Sequence, residues 1–346
     1  MERLLVARVL AALIVLASWS CGAAAQSVQA FYKGKTIQLA IGFGPGASYD
    51  TYARVLADFL GRHIPGQPRI LPVNMEGAGS LRVANWLYNA APKDGTAFGT
   101  TSRAVPFAPL IGTQGGASFD PTRFTWIGSA NNEVSTCVAW KTSGVTSFDQ
   151  LKQTELIIGG DGPSADGEQF ARVMNALFGT RIRIVSGYPG GNAVNLAMER
   201  GEVQGRCGWS WSGVKAERRQ WVDGGLVSIL IQLALEKHPE LPDVPLIMDV
   251  AQTDEQKQML RLVLARQPLG RPFYGPPDVP AERTDALRQA FMATMRDPEF
   301  LAAASKAQLE VNPLPGAQIE AIVRDVFAKT SPEVVARTKE LLLAKN

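Results

Sequence analysis

Two histidines, His63 and His238, are all that this 346-residue chain offers for imidazole chemistry. Neither stands among Cys, Asp or Glu at metal-ligand spacing. No G-x-S-x-G elbow and no P-loop occurs, so nucleophilic hydrolysis and phosphoryl transfer lack their parts. Asp161 and Asp166 could share acid–base work, but beside glycine and serine they suit turns and a helix start better. The residues call for no enzyme, no cofactor and no metal. What the chain does offer is main-chain chemistry. The apolar run Ile37-Gln38-Leu39-Ala40-Ile41 feeds Gly42-Phe43-Gly44-Pro45-Gly46-Ala47-Ser48-Tyr49-Asp50, a strand emptying into a glycine turn that opens a helix. Glycine allows positive φ and keeps N–H groups available, and the helix start adds orphan donors and a positive dipole end. That combination suits a carboxylate or a phosphate. The G-x-G-P-G order lacks the dinucleotide fingerprint's spacing. Asp50 would repel an anion directly, so its expected job is to cap the helix and hold the loop.

Such loops need a sheet to carry them, and the hydrophobic periodicity supplies one. Strands are expected at 37–41, 69–73, 96–100, 124–128, 134–140, 156–158, 181–185 and 226–233, with a last one reaching Tyr274. Between them, helical spacing marks Ala53, Leu56, Ala57 and Leu60, stopped by Gly61 and Pro65, and then Leu81, Ala84, Trp86 and Leu87. Further helices are expected around Phe170–Leu177, Val194–Met198 and Gln256–Ala265, and from Ala281 to Met295, which Asp297-Pro298 ends. The stretches from Gly316 to Ala328 and Pro332 to Ala344 look like amphipathic covering layers. The pattern is α/β throughout. Gly159-Gly160-Asp161-Gly162-Pro163-Ser164-Ala165-Asp166-Gly167 and Ser186-Gly187-Tyr188-Pro189-Gly190-Gly191-Asn192 repeat the strand, glycine loop, helix order. In open α/β sheets the C-terminal edge of the strands is where ligands sit.

Arg3 and Arg8, the apolar stretch Val9–Leu16 and the small residues Ala23-Ala24-Ala25 form a signal peptide with its cut expected after Ala25. A lipoprotein cut before Cys21 is the lesser alternative, and the apolar run falls short of the roughly 20 residues a membrane span needs. The mature 321 residues suffice for two domains and carry a formal charge of +2, too mild for a nucleic-acid protein. Cys137 and Cys207 then face an oxidising compartment, where a disulfide and two buried thiols are both open.

The motifs, taken in order, resemble those of the tripartite tricarboxylate transporter receptors, the Bug-type solute-binding proteins. They are residues 42–50, Glu76-Gly77-Ala78-Gly79, Ala91-Pro92-Lys93-Asp94-Gly95-Thr96, Gly160-Asp161-Gly162-Pro163-Ser164, Gly187-Tyr188-Pro189-Gly190-Gly191, Leu241-Pro242-Asp243-Val244-Pro245 and Asp297-Pro298-Glu299-Phe300. The resemblance covers nearly all of the mature chain. It implies a type II-like periplasmic binding protein, each domain a mixed sheet flanked by helices, with the ligand cleft between the domains. The implied domains are 26–128 with 231–346, and 129–230, hinged near residues 128 and 231.

Carried onto this chain, the first-domain ligand loop is Phe43, Gly44, Gly46, Ala47, Ser48, Tyr49 and Asp50, with Gly77, Ala78, Gly79, Thr101 and Ser102 beside it. The second-domain face is Ser164, Asp166, Tyr188, Gly190, Gly191 and Asn192. Departures from the commonest family pattern are Tyr49, Arg103 and the segment Cys207-Gly208-Trp209-Ser210-Trp211. Arg103 and Arg206 are candidates to hold a second carboxylate or to form interdomain ion pairs. Trp209 and Trp211 could stack on an aromatic acid or fill a wall. The expected function is capture of a small carboxylate in the periplasm, with a lean toward dicarboxylates, and delivery by a monomer to membrane permease subunits. A receptor for a signalling partner is the main alternative, and a periplasmic enzyme on the same scaffold the lesser one.

Overall fold

The computed structural model describes residues 27–112, 116–162 and 165–343; the expected signal peptide, Cys21 and Ser164 lie outside them. Ile37, Leu39, Ala40 and Ile41 are fully buried in β1 (Thr36–Ile41), the near-continuous apolar run of a parallel strand covered on both faces. It pairs in parallel with β2 (Arg69–Asn74) and β3 (Ala97–Thr100). Beyond β3 lie β10 (Pro272–Gly275), β4 (Thr125–Ser129) and the short β11 (Leu314–Pro315), with β10 antiparallel to both of its neighbours.

The second sheet repeats that plan. β6 (Leu156–Gly160) pairs in parallel with β7 (Ile182–Ser186) and β8 (Gly205–Ser210), and β5 (Ser135–Trp140) inserts antiparallel between β8 and β9 (Val227–Leu233). The orders β2-β1-β3-β10-β4 and β7-β6-β8-β5-β9 therefore match position by position. In each five-strand order the antiparallel strand is the one that arrives from the other lobe, and β11 adds a further antiparallel edge to the first sheet. The result is an α/β fold of two domains, each a mixed sheet flanked by helices.

The chain crosses between sheets after Ser129 and after Leu233. The expected second hinge at residue 231 thus falls inside β9, where Cys137 pairs with Ile231. Helices α1 (Ser48–His63) and α2 (Leu81–Asn89) follow β1 and β2; α3 (Asp166–Phe178) and α4 (Gly191–Glu199) follow β6 and β7. α1 runs through Gly61 to His63, because Leu56 and Leu60 anchor it in the core.

β8 and the following α5 (Trp211–Asp223) were not expected from the sequence, since Gly205, Arg206 and Gly208 mask the alternation that buries Cys207 and Trp209. Two further helices, α6 (Asp254–Leu264) and α10 (Pro332–Leu343), pack on each other and against α3, and Gln256 Nε2 donates to Leu177 O at 2.8 Å. They cover the second lobe, although the expected boundaries put them with the first. Amphipathicity shows that a helix covers a core and not whose core. The remaining long helices are α7 (Ala281–Thr294), α8 (Pro298–Lys306) and α9 (Gly316–Lys329). α8 begins where the sequence suggested only a stop: Asp297 caps it, accepting from Glu299 N at 2.9 Å, and Pro298 takes the first helical position.

Cys137 on β5 and Cys207 on β8 meet as a disulfide across adjacent strands of the second sheet. Among the described residues no helix is long and apolar enough to cross a membrane.

Candidate functional site

The loop after β1 is held from within. Asp50 sits in the first turn of α1, three positions past Ala47, which takes the capping position without a side-chain bond. The buried Asp50 carboxylate accepts from Gly46 N at 2.9 Å, from Arg54 Nε at 2.9 and 3.0 Å, and from Asn74 Nδ2 at 2.7 Å. Burial alone would raise this carboxyl, but the bonds from Arg54, Asn74 and Gly46 hold it below the usual range. Gly46 sits at φ +79°, a conformation that suits glycine. The first-turn N–H groups of Ser48 and Tyr49 have no intrahelical acceptor.

The second lobe uses the same device. Glu168, third residue of α3, accepts from Gly162 N at 3.0 Å and Ser186 Oγ at 2.7 Å, and pairs with Arg172 at 3.2 Å. Both loops are thus tied by a first-turn carboxylate whose arginine partner lies four residues on.

Between the loops lies a cavity of about 490 Å³, lined from both lobes. Its first-lobe wall holds Phe43, Ser48, Tyr49, Ser102 and Arg103, an apolar run at Val105, Phe107 and Ile111, and Arg271 from the approach to β10. Tyr49 is the hub there. Its ring stacks on Phe43 at 4.3 Å, the Arg271 guanidinium lies 4.7 Å from its centroid, and its hydroxyl accepts from Arg103 N at 3.2 Å. Arg271 also donates to Ser48 Oγ at 3.1 Å and lies 3.9 Å from the buried Glu133. Arg271 Nε and Arg103 Nη1 are buried with no protein acceptor among the described residues.

The opposite wall is mostly acidic. Asp161, Asp166 and Glu217 line it with Arg206, Arg266 and Trp209. Arg103 reaches across the cleft, its Nε donating to Asp166 Oδ2 at 2.7 Å, while Arg266 Nη1 donates to Asp166 Oδ1 at 3.0 Å. Burial would raise the Asp166 carboxyl; the Arg103 and Arg266 charges keep it below the ordinary range. Asp161 goes the other way, because burial lifts it more than Arg206 draws it down. Arg206 lies 3.6 Å from Glu217 and 4.5 Å from the Trp209 ring centroid, in space that a side chain on Gly191 would fill.

Of the sequence-derived site residues, the cavity gathers Phe43, Ser48, Tyr49, Ala78, Gly79, Ser102, Arg103, Asp166 and Trp209. Gly44, Gly46, Ala47, Asp50, Gly77 and Thr101 shape the first-lobe loops behind the lining, as Tyr188, Gly190, Gly191 and Asn192 do in the second. Gly77, Ala78, Gly79 and Ser80 all hold positive φ, a strained turn beside the cleft. Ser164 lies outside the described residues. Arg103 and Arg206 both sit in ion pairs, Arg103 bridging the lobes. Trp211 turns to Glu240 and the second-lobe core rather than the cavity. Sequence reading missed Arg266, Arg271 and Glu217, which stand in segments without the strand, glycine loop, helix order. His63 and His238 pair with Asp297 and Glu310, outside the cavity lining. Among the described residues no three His, Cys, Asp or Glu side chains cluster as metal ligands.

No protein-family profile and no curated protein matches the sequence. Solved structures do match the fold. A TctC solute-binding protein from Polaromonas aligns with TM-score 0.66 at 16% identity, over 90% of this chain and 99% of its own. The periplasmic binding protein BugD aligns with TM-score 0.66 at 17% identity, over 91% and 100%. MatC from Rhodopseudomonas palustris, solved with malate, aligns with TM-score 0.63 at 18% identity, over 89% and 99%. At such identities the likeness speaks for architecture, and the chain has the two-domain α/β fold of these solute-binding proteins, with the cavity described above between the domains.

Proposed function

We propose that this chain is a periplasmic receptor of the tripartite tricarboxylate transporter type, which captures a small organic carboxylate and hands it to membrane permease subunits. The observation that carries the reading is the first-lobe wall: Arg103 and Arg271 with buried unpartnered donors, Ser48 Oγ and the first-turn amides of α1 around one cavity, and no carboxylate among the described residues lining that side. A charge leaving water needs replacement hydrogen bonds, and such a wall provides them. The fold likeness, which includes a protein solved with malate, supports the same class of ligand. The signal-peptide features of residues 1–25 support export and a periplasmic location. The receptor acts as a monomer and as a binder, with closure about the two crossovers, after Ser129 and after Leu233.

A thermal-shift screen against mono-, di- and tricarboxylates and aromatic acids tests this. Binding to the folded form alone raises the melting temperature. At least one acid is expected to raise it by several degrees in the mature protein and to do so less after Arg271→Met. A panel with no shift at millimolar acid overturns the reading.

A further inference from the structure

We propose that Asp166 is a built-in carboxylate that fills the cationic centre of the cleft, so that the ligand carries one carboxylate and an apolar body. The inference rests on the carboxylate-receptor reading above and narrows its substrate class. Both Asp166 oxygens are engaged, Oδ2 by Arg103 Nε at 2.7 Å and Oδ1 by Arg266 Nη1 at 3.0 Å. Arg266 is further committed to Gln169 Oε1 at 2.6 Å and to Val263 O at 2.9 Å. The protein itself thus supplies the anion that a second ligand carboxylate would otherwise provide. One carboxylate still has a place. Arg103 Nη1 and Arg271 Nε are buried donors without acceptors, on residues that are each 4% exposed, and a buried donor left unpaired is a cost that an incoming oxygen removes.

A diacid would have to set its other end against the far wall. There it meets Asp161, Asp166 and Glu217, while Arg206 is already drawn to Glu217 and laid over Trp209. Like charges in a desolvated cleft repel strongly. What the cavity offers the rest of the ligand is the apolar run at Val105, Phe107 and Ile111. An acid with a hydrocarbon body matches that surface, and a second charge does not.

The test is titration calorimetry of the mature protein with hexanoate against adipate and butyrate against succinate, pairs that differ only in the second carboxylate. In the wild type each monoacid is expected to bind at least tenfold more tightly than its diacid. Asp166→Asn, checked for folding by circular dichroism, is expected to shift that ratio at least tenfold toward the diacid. Arg266→Gln, which leaves Asp166 one partner fewer, widens the monoacid preference instead. Adipate binding as tightly as hexanoate in the wild type overturns the inference and leaves the receptor reading standing. An unchanged ratio in folded Asp166→Asn also overturns it. Failure of every acid, mono or di, to bind overturns both.

Discussion

In the first lobe Asp50 gathers Gly46, Arg54 and Asn74; in the second Glu168 gathers Gly162, Ser186 and Arg172. The two loops are built alike, and the sheets beneath them share one strand order. Yet the surfaces they present differ in sign. Arg103 and Arg271 face the cleft from one side, where no carboxylate of the first lobe joins the lining, while Asp161, Asp166 and Glu217 face it from the other beside Arg206 and Arg266, and Arg103 meets Asp166 across the gap. On the proposed reading a repeated scaffold would fix where a ligand sits, and the unrepeated side chains would decide which end of it goes where, the first lobe meeting the anion and the apolar body and the second closing over both.

The lobes also differ in how they are stapled, and the largest expected effect lies there. Cys137 and Cys207 stand 70 residues apart and both belong to the second sheet. Closing a loop of that length is worth about 4 kcal/mol in the chain-entropy account. Reduction, or the double substitution Cys137→Ala with Cys207→Ala, is expected to lower the second lobe's stability by about that much. Hydrogen exchange read lobe by lobe checks it, since the first-lobe strands should keep their protection. Equal loss in both lobes would show that the two unfold as one unit. Two reactive thiols in unreduced, unfolded protein would show that the bond does not form.

Charge gives the next effect. If the anion rests on the first wall, Arg271→Met lowers carboxylate affinity about 100-fold, near 3 kcal/mol, because it removes the guanidinium that meets Ser48 and the Tyr49 ring. Arg206→Met on the far wall is expected to change affinity less than about fivefold, since Arg206 is held by Glu217 and Asn195. Calorimetry on the two variants decides. Matching losses would place the carboxylate between the walls and end the division of labour.

The strand-loop-helix order at residues 37–50 and 156–167 was readable because glycine placement and apolar runs are local signals. They put Phe43, Ser48, Tyr49 and Asp166 at the cleft. Arg266 and Arg271 were not readable. They arrive on the crossover from β9 to β10, more than 200 residues from Ser48 in sequence, and only the tertiary path brings them there. Asp50 reads from the sequence as the helix cap and is instead a first-turn anchor, because the helix begins three positions earlier, after Ala47. Asp297-Pro298 reads from the sequence as a stop and is a start, because the same dipeptide suits both ends of a break between helices.

The smallest effects are in pH, where the two aspartates of the second-lobe wall pull in opposite directions. Asp166 has its carboxyl depressed by Arg103 and Arg266 against the upward push of burial. A depressed carboxyl stabilises the fold above its unfolded value, near pH 4, and that contribution is lost as the pH falls through the lower folded value. Asp161 is raised by burial. Its contribution is present below about pH 4 and is lost as the pH climbs through the raised value, so at neutrality its charge weakens the fold. Asp166→Asn should therefore flatten the acid limb of a stability profile, and Asp161→Asn should make the neutral side relatively more stable, the second effect being the smaller because Asp161 is exposed and screened by water. Urea unfolding of both variants over the acid-to-neutral range separates the two signs. Parallel profiles would mean that the two carboxyls share one environment, and the contrast between an Arg-clamped aspartate and an unclamped one on the same wall would have to be given up.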